Sequence, residues 1–93
     1  MVIHKYVLPN GPAVACLQIP VGAQFLRVDS QHNLPVIWFL VEPNAPTEAK
    51  AFAVVMTGQN FTPGGTGPGS LCYKGTAQLH GGSFVLHVFE VRR

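Results

Sequence analysis

The chain has 93 residues, 47% of them hydrophobic and only 11% charged, against about 25% charged in ordinary soluble domains. That balance excludes intrinsic disorder, which needs low hydrophobicity and high charge, and the length allows one domain. Six Lys/Arg against four Asp/Glu give a formal charge of +2, too small and scattered for a nucleic-acid footprint, which needs a basic stripe.

Ten glycines and eight prolines punctuate the chain and leave few windows long enough for an amphipathic helix. The segments between them are rich in Val, Phe, Leu and Tyr and predict seven short strands. In chain order these are Val2–Leu8, Ala13–Ile19, Gln24–Ser30, Val36–Val41, Ala51–Thr57, Tyr73–Leu79 and Ser83–Val91. Pro9-Asn10-Gly11 suits a tight reversal, and Gln31-His32-Asn33 leaves a hairpin-length gap. Pro43 to Glu48 is a longer polar connection with room for one helical turn, and Thr62 to Ser70 is a glycine-rich loop. Gly81-Gly82 predicts a two-residue link, since positive φ costs glycine nothing. The expected fold is a compact antiparallel β-sandwich or barrel in a single domain, residues 1–93.

Three strands carry apolar residues on both faces. Val36, Trp38 and Leu40 oppose Ile37, Phe39 and Val41; Phe52, Val54 and Met56 oppose Ala51, Ala53 and Val55; Phe84, Leu86 and Val88 oppose Val85, His87 and Phe89. A sheet with one wet face should alternate apolar and polar residues. A small domain cannot bury a second apolar face by itself, so a second copy of the chain is the expected cover. A closed barrel whose exterior tolerates scattered Val and Ala is the alternative.

The longest apolar run, Leu34 to Val41, has eight residues, far short of the ~20 a membrane-crossing helix needs. The start, Met1 to Tyr6, does not read as a secretory signal. Cys16 and Cys72 are then expected as buried free thiols, in keeping with a cytosolic setting.

Catalytic patterns fail one by one. Gly64 to Gly69 has the glycine spacing of a phosphate-binding loop, but Ser70-Leu71 stands where that motif needs Lys-Ser/Thr. There is no G-x-S-x-G elbow. His4, His32, His80 and His87 lack zinc-ligand spacing. His87 is read as a core histidine satisfied by a backbone carbonyl, and Arg92-Arg93 as a solvated tail. No enzyme, cofactor or metal is expected.

Binding has more support. Tyr6, Phe25, Trp38, Phe61 and Tyr73 are flat surfaces for a ring, although aromatic residues ordinarily fill cores. Arg27 and Lys74 lie within strands and can meet an anion. Thr57-Gly58-Gln59 leaves the fifth strand, where free backbone N–H groups can meet phosphate oxygens. The candidate ligand-binding set is therefore Arg27, Trp38, Thr57, Gly58, Gln59 and Lys74.

Tyr6-Val7-Leu8-Pro9, Ile19-Pro20-Val21-Gly22-Ala23, Leu34-Pro35-Val36-Ile37-Trp38, Thr57-Gly58, Lys74 to Leu79 and Gly81 to Glu90 resemble a family of small proteins from tailed phages and prophages. The resemblance spans most of the chain, and its double glycine before an apolar strand ending His-x-Phe-Glu is distinctive. Pro63 to Gly69 departs from it in being more glycine-rich. The family has no settled activity, so the resemblance implies only a setting: a phage-encoded protein in the cytoplasm of an infected bacterium. In that setting two readings compete. One is non-enzymatic capture of a small ligand, a nucleotide immune signal of the host. The other is a structural role as a virion accessory or assembly protein, or direct inhibition of a host protein. Neither requires DNA, RNA or a membrane.

Overall fold

The computed structural model describes residues 1–60 and 71–92. The glycine-rich segment Thr62 to Ser70, Phe61 and Arg93 lie outside the described residues. Seven strands are present among those described: β1 (Val2–Val7), β2 (Ala13–Pro20), β3 (Gln24–Gln31), β4 (Leu34–Val41), β5 (Thr47–Met56), β6 (Leu71–Leu79) and β7 (Phe84–Val91). They form two antiparallel sheets, ordered β1-β4-β3 and β2-β5-β7-β6. The fold is an all-β sandwich.

Side-chain alternation along each strand sorts the residues into layers. Ile37, Phe39 and Val41 of β4 meet Phe52 and Val54 of β5 and Leu86 and Val88 of β7 in one core, with Leu8, Ile19, Val28, Ala77 and Leu79. Phe39 lies at its aromatic centre, with Tyr6, Phe25 and Phe52 around it at ring-centroid distances of 6.0, 5.9 and 6.1 Å. The Tyr6 and Phe25 rings meet Phe39 edge-to-face and Phe52 is tilted against it, and such aromatic packing adds to simple burial.

The opposite faces are also apolar, as the strand patterns predict. Ala53, Val55 and Val91 form a second cluster on the outside of the four-stranded sheet, with Ala51, Leu71 and Phe89 packed against it. Ile3, Val7 and Leu26 stand exposed on the outside of the three-stranded one.

Two proline positions show how the sheets tolerate them. Pro35 is the second residue of β4, where its carbonyl accepts from Leu8 N–H at 2.8 Å. Its missing N–H therefore falls where β1 is ending and the ladder asks for no donor. Pro20 closes β2 at a sheet edge, another position that needs no donor.

The turns differ in part from expectation. His32 and Asn33 both adopt positive φ, 54° and 59°, and Gln31 pairs with Leu34. This is a two-residue hairpin with the twist of a type I′ turn. The last hairpin is longer than the two glycines suggest. Leu79 pairs with Phe84, so four residues intervene, and His80 to Gly82 form a 3-10 turn with positive φ at all three. No helical turn occupies Pro43 to Glu48. Ala45 N–H closes a single turn onto Glu42 C=O at 3.0 Å, and Thr47 to Lys50 already belong to β5. The polar, helix-favouring Thr-Glu-Ala-Lys run is held extended because it pairs with Leu17 to Pro20 of β2.

One side of the sandwich is pulled shut. Each of the two facing edge strands carries a register shift, at Phe25/Arg27 in β3 and at Tyr73/Gly75 in β6. Such bulges bend and twist an edge. Here Gly75 comes so close to β3 that a Cβ on it would meet Val28 Cβ at 2.8 Å.

Candidate functional site

The bulge in β6 leaves Lys74 as the extra residue, between Tyr73, opposite Phe89, and Gly75, opposite Val88. Its ammonium is over the Phe25 ring, 4.7 Å from the centroid. This cation–π contact holds a lysine at the end of the core rather than in solvent.

Two further charges join it from inward positions. Glu90 continues the inward row of Leu86 and Val88 on β7, and Lys50 the inward row of Phe52 and Val54 on β5. The Glu90 side chain is only 14% exposed and the Lys74 side chain 13%. Glu90 Oε1 is 3.5 Å from Lys74 Nζ, and its Oε2 is 3.6 Å from Lys50 Nζ. Lys50 Nζ is also 3.6 Å from Glu48 Oε1.

These ion pairs are longer than the 2.7–3.2 Å of a closed N–H···O hydrogen bond. Each ammonium has three donors, so both lysines keep N–H directions available beside their carboxylates. The cavity they line with Phe25, Phe39, Glu48 and Arg92 has a volume of ≈ 770 Å³, within the range of small-molecule sites. Among the described residues three cations line it with two carboxylates, a net charge of +1. The mouth places positive charge and aromatic surface side by side.

The six residues expected from sequence fall into three places. Lys74 is in this mouth. Arg27 and Trp38 are cross-strand neighbours on the outside of the other sheet. Arg27 Nη2 donates to Asp29 Oδ2 at 2.6 Å, and with Ile3 and Leu26 these three residues line a shallow, largely apolar depression. Thr57, Gly58 and Gln59 leave β5 at the opposite end from Lys50. There Gln59 folds back: its N–H donates to Met56 C=O at 3.1 Å, and its Oε1 accepts from Met56 N–H at 2.9 Å. The Gln59 amide is therefore engaged by the turn.

Residues 1–93 match, from end to end, a family described as a domain of unknown function, DUF7352. The chain belongs to that family. No curated protein and no solved structure matches it.

The DUF7352 chain holds a second polar cluster that sequence reasoning placed differently. His87 is not held by a backbone carbonyl. It lies half-buried on the outside of its sheet, its Nε2 2.7 Å from Thr57 Oγ1 and its Nδ1 3.0 Å from Thr76 Oγ1. Thr76 Oγ1 in turn bonds the Tyr73 hydroxyl. Both ring nitrogens are satisfied by hydroxyls, each of which can donate or accept, so the cluster ties β5, β6 and β7 together.

Glu90, Lys50 and Arg92 were not on the sequence-derived list for the mouth. The signal that finds two of them is parity. A Glu or Lys at the inward position of a strand whose other inward residues are Phe, Val and Leu has to reach a partner or a cavity. Cys16 and Cys72 are both free thiols, but not the buried ones expected: Cys16 is exposed and Cys72 half-buried. Among the described residues no helix is long and apolar enough to cross a membrane, and no group of three His, Cys, Asp or Glu is placed to hold a metal ion.

Proposed function

We propose that this DUF7352 protein is a non-enzymatic binding protein that captures a small anionic, ring-bearing ligand, a nucleotide, in the mouth of the sandwich. The observation that carries the reading is Lys74, half-buried over Phe25 and paired at long range with Glu90. Lys50, Lys74 and Arg92 would meet the phosphates, in charge-assisted hydrogen bonds stronger than neutral ones. The ring would pack against the Phe25–Phe39 edge.

Capture of this kind needs affinity and abundance, not turnover. In the phage setting that the sequence resemblance implies, the ligand is a nucleotide immune signal of the host and the protein acts in the host cytoplasm. Calorimetric titration with a panel of mononucleotides and cyclic dinucleotides tests the site. Lys74→Ala should abolish binding. Arg27→Ala, on the outer face of the other sheet, should leave it within about twofold. Equal binding by wild type and Lys74→Ala would remove the mouth as the site.

A second reading, a virion accessory or assembly component, is favoured by the depression around Trp38, lined by Ile3, Leu26, Arg27 and Asp29. An apolar floor with a charged rim resembles a protein-contact patch, and direct inhibition of a host protein would use the same face. That reading requires the protein to appear in purified particles or on a host target. Its absence from both would leave the ligand reading alone.

A further inference from the structure

The four strands at sheet edges are not equally protected. β1 carries His4 and Lys5, β3 carries Arg27, Asp29 and a bulge, and β6 carries Lys74 and a bulge and lies against β3. These are the usual devices that stop an edge from pairing with another chain. β2 has none. Ala13–Pro20 reads Ala-Val-Ala-Cys-Leu-Gln-Ile-Pro, with no charge, and it pairs with β5 over eight residues without a register shift.

The hydrogen-bond phase of β2 fixes which groups it offers. Val21 N–H donates to Pro46 C=O at 2.8 Å, one step beyond the Pro20–Thr47 pair in the same register. In an antiparallel ladder a residue's N–H and C=O point to the same side, and the side alternates. Odd-numbered residues of β2 therefore bond β5, while Val14, Cys16 and Gln18 point their N–H and C=O outward. Pro20 falls in the outward set, at the end of the strand, where its missing donor costs nothing.

We infer that β2 pairs antiparallel with β2 of a second copy about a two-fold axis at Cys16, joining two four-stranded sheets into one continuous sheet. About that axis Cys16 faces Cys16 of the second copy, and Val14 faces its Gln18. Each of the three resulting pairs exchanges two backbone hydrogen bonds. No charge meets a like charge. A second copy is the occupant because the outward N–H and C=O groups of Val14, Cys16 and Gln18 match those of the same strand in this register, with no charged side chain on either. It also carries the apolar outer surface across the axis. Val14, 54% exposed, and Cys16 flank the Ala51–Ala53 edge of the outer cluster. The matching row on the second copy abuts them. The inference rests on the β2 edge; Cys16 also lines the mouth cavity, but the test below reads mass and crosslinking with no ligand present.

The test is multi-angle light scattering of the full chain over 1–200 μM, with crosslinking of Cys72→Ser by diamide, which oxidises two thiols to a disulfide and is itself reduced to the hydrazine. Facing residues in a hydrogen-bonded antiparallel pair have Cα atoms about 5.5 Å apart, within disulfide reach. The expected results are a reversible dimer of twice the chain mass and a Cys16–Cys16 crosslink found by peptide mapping. Cys16→Lys, with an unchanged circular dichroism spectrum, should weaken dimerisation at least tenfold. Val14→Lys provides the same reading if Cys16→Lys misfolds. A monomer throughout the range would overturn the inference, as would a dimer indifferent to both lysine substitutions.

Discussion

Gly75 and Val28 stand back to back across the closed side of the sandwich, with no room for a methyl group between them: a Cβ on Gly75 would meet Val28 Cβ at 2.8 Å. Gly75 has no positive φ, so space and not backbone conformation demands the glycine. The contact holds the bulge of β6 against β3 and so holds Lys74 over Phe25. Fold and site meet at this point.

Gly75→Ala should therefore lower stability by about 1–3 kcal/mol, the usual range for overpacking, with no gain from the better β-propensity of alanine. Urea denaturation of Gly75→Ala, Val28→Ala and the double variant checks the cause. Val28→Ala should be costly alone as a large-to-small core change. The double variant should be more stable than the sum of the two, because the smaller residue 28 admits the new methyl.

Glu90→Gln separates stability from binding. The carboxylate lies between Lys50 and Lys74, and its loss leaves a half-buried Lys74 without its counter-charge, while Lys50 retains Glu48. Stability should fall by about 1–3 kcal/mol. Affinity for an anion should rise at low salt, because a competing carboxylate is gone and the mouth becomes more positive. Chemical denaturation and calorimetry on the same preparation read the two effects, which should move in opposite directions.

Asn33 links the two hairpins. It adopts positive φ, and its Oδ1 accepts from His80 N–H at 3.2 Å across to the other sheet's last turn. Asn33→Ala should cost about 1–2 kcal/mol from left-handed strain and the lost hydrogen bond together. Asn33→Gly should cost less, since glycine relieves the strain and loses only the bond. A cost equal in the two variants would show that the turn conformation contributes little. Thermal melts of both variants decide.

The strands and the places of the turns, though not all of the turn conformations, were legible because apolar β-formers alternate with glycine, proline and asparagine. Thr47 to Lys50 was not legible as strand, since its local preference is polar and helical and only pairing with β2 overrides it. The link at Gly81-Gly82 was read too short because His80 also takes a positive φ, which its residue type does not announce. For the mouth, Lys74 was visible as a strand cation, but a single residue number does not reveal that a bulge turns it inward. Lys50 and Glu90 are 40 positions apart in the sequence and become neighbours only through the β5–β7 pairing. Arg27 and Trp38 were legible as a cation and a ring able to meet a ligand, yet they belong to the other sheet's exterior, a separation that only topology sets.

Native mass spectrometry of protein recovered from the cells that make it, compared with Lys74→Ala recovered in the same way, tests the mouth most directly. The account predicts a wild-type protein carrying a stoichiometric small-molecule mass with the mass defect of a phosphate-containing compound, and a variant without it. Wild type and variant arriving with the same mass increment, or both bare, would contradict the assignment of ligand capture to Lys50, Lys74 and Arg92.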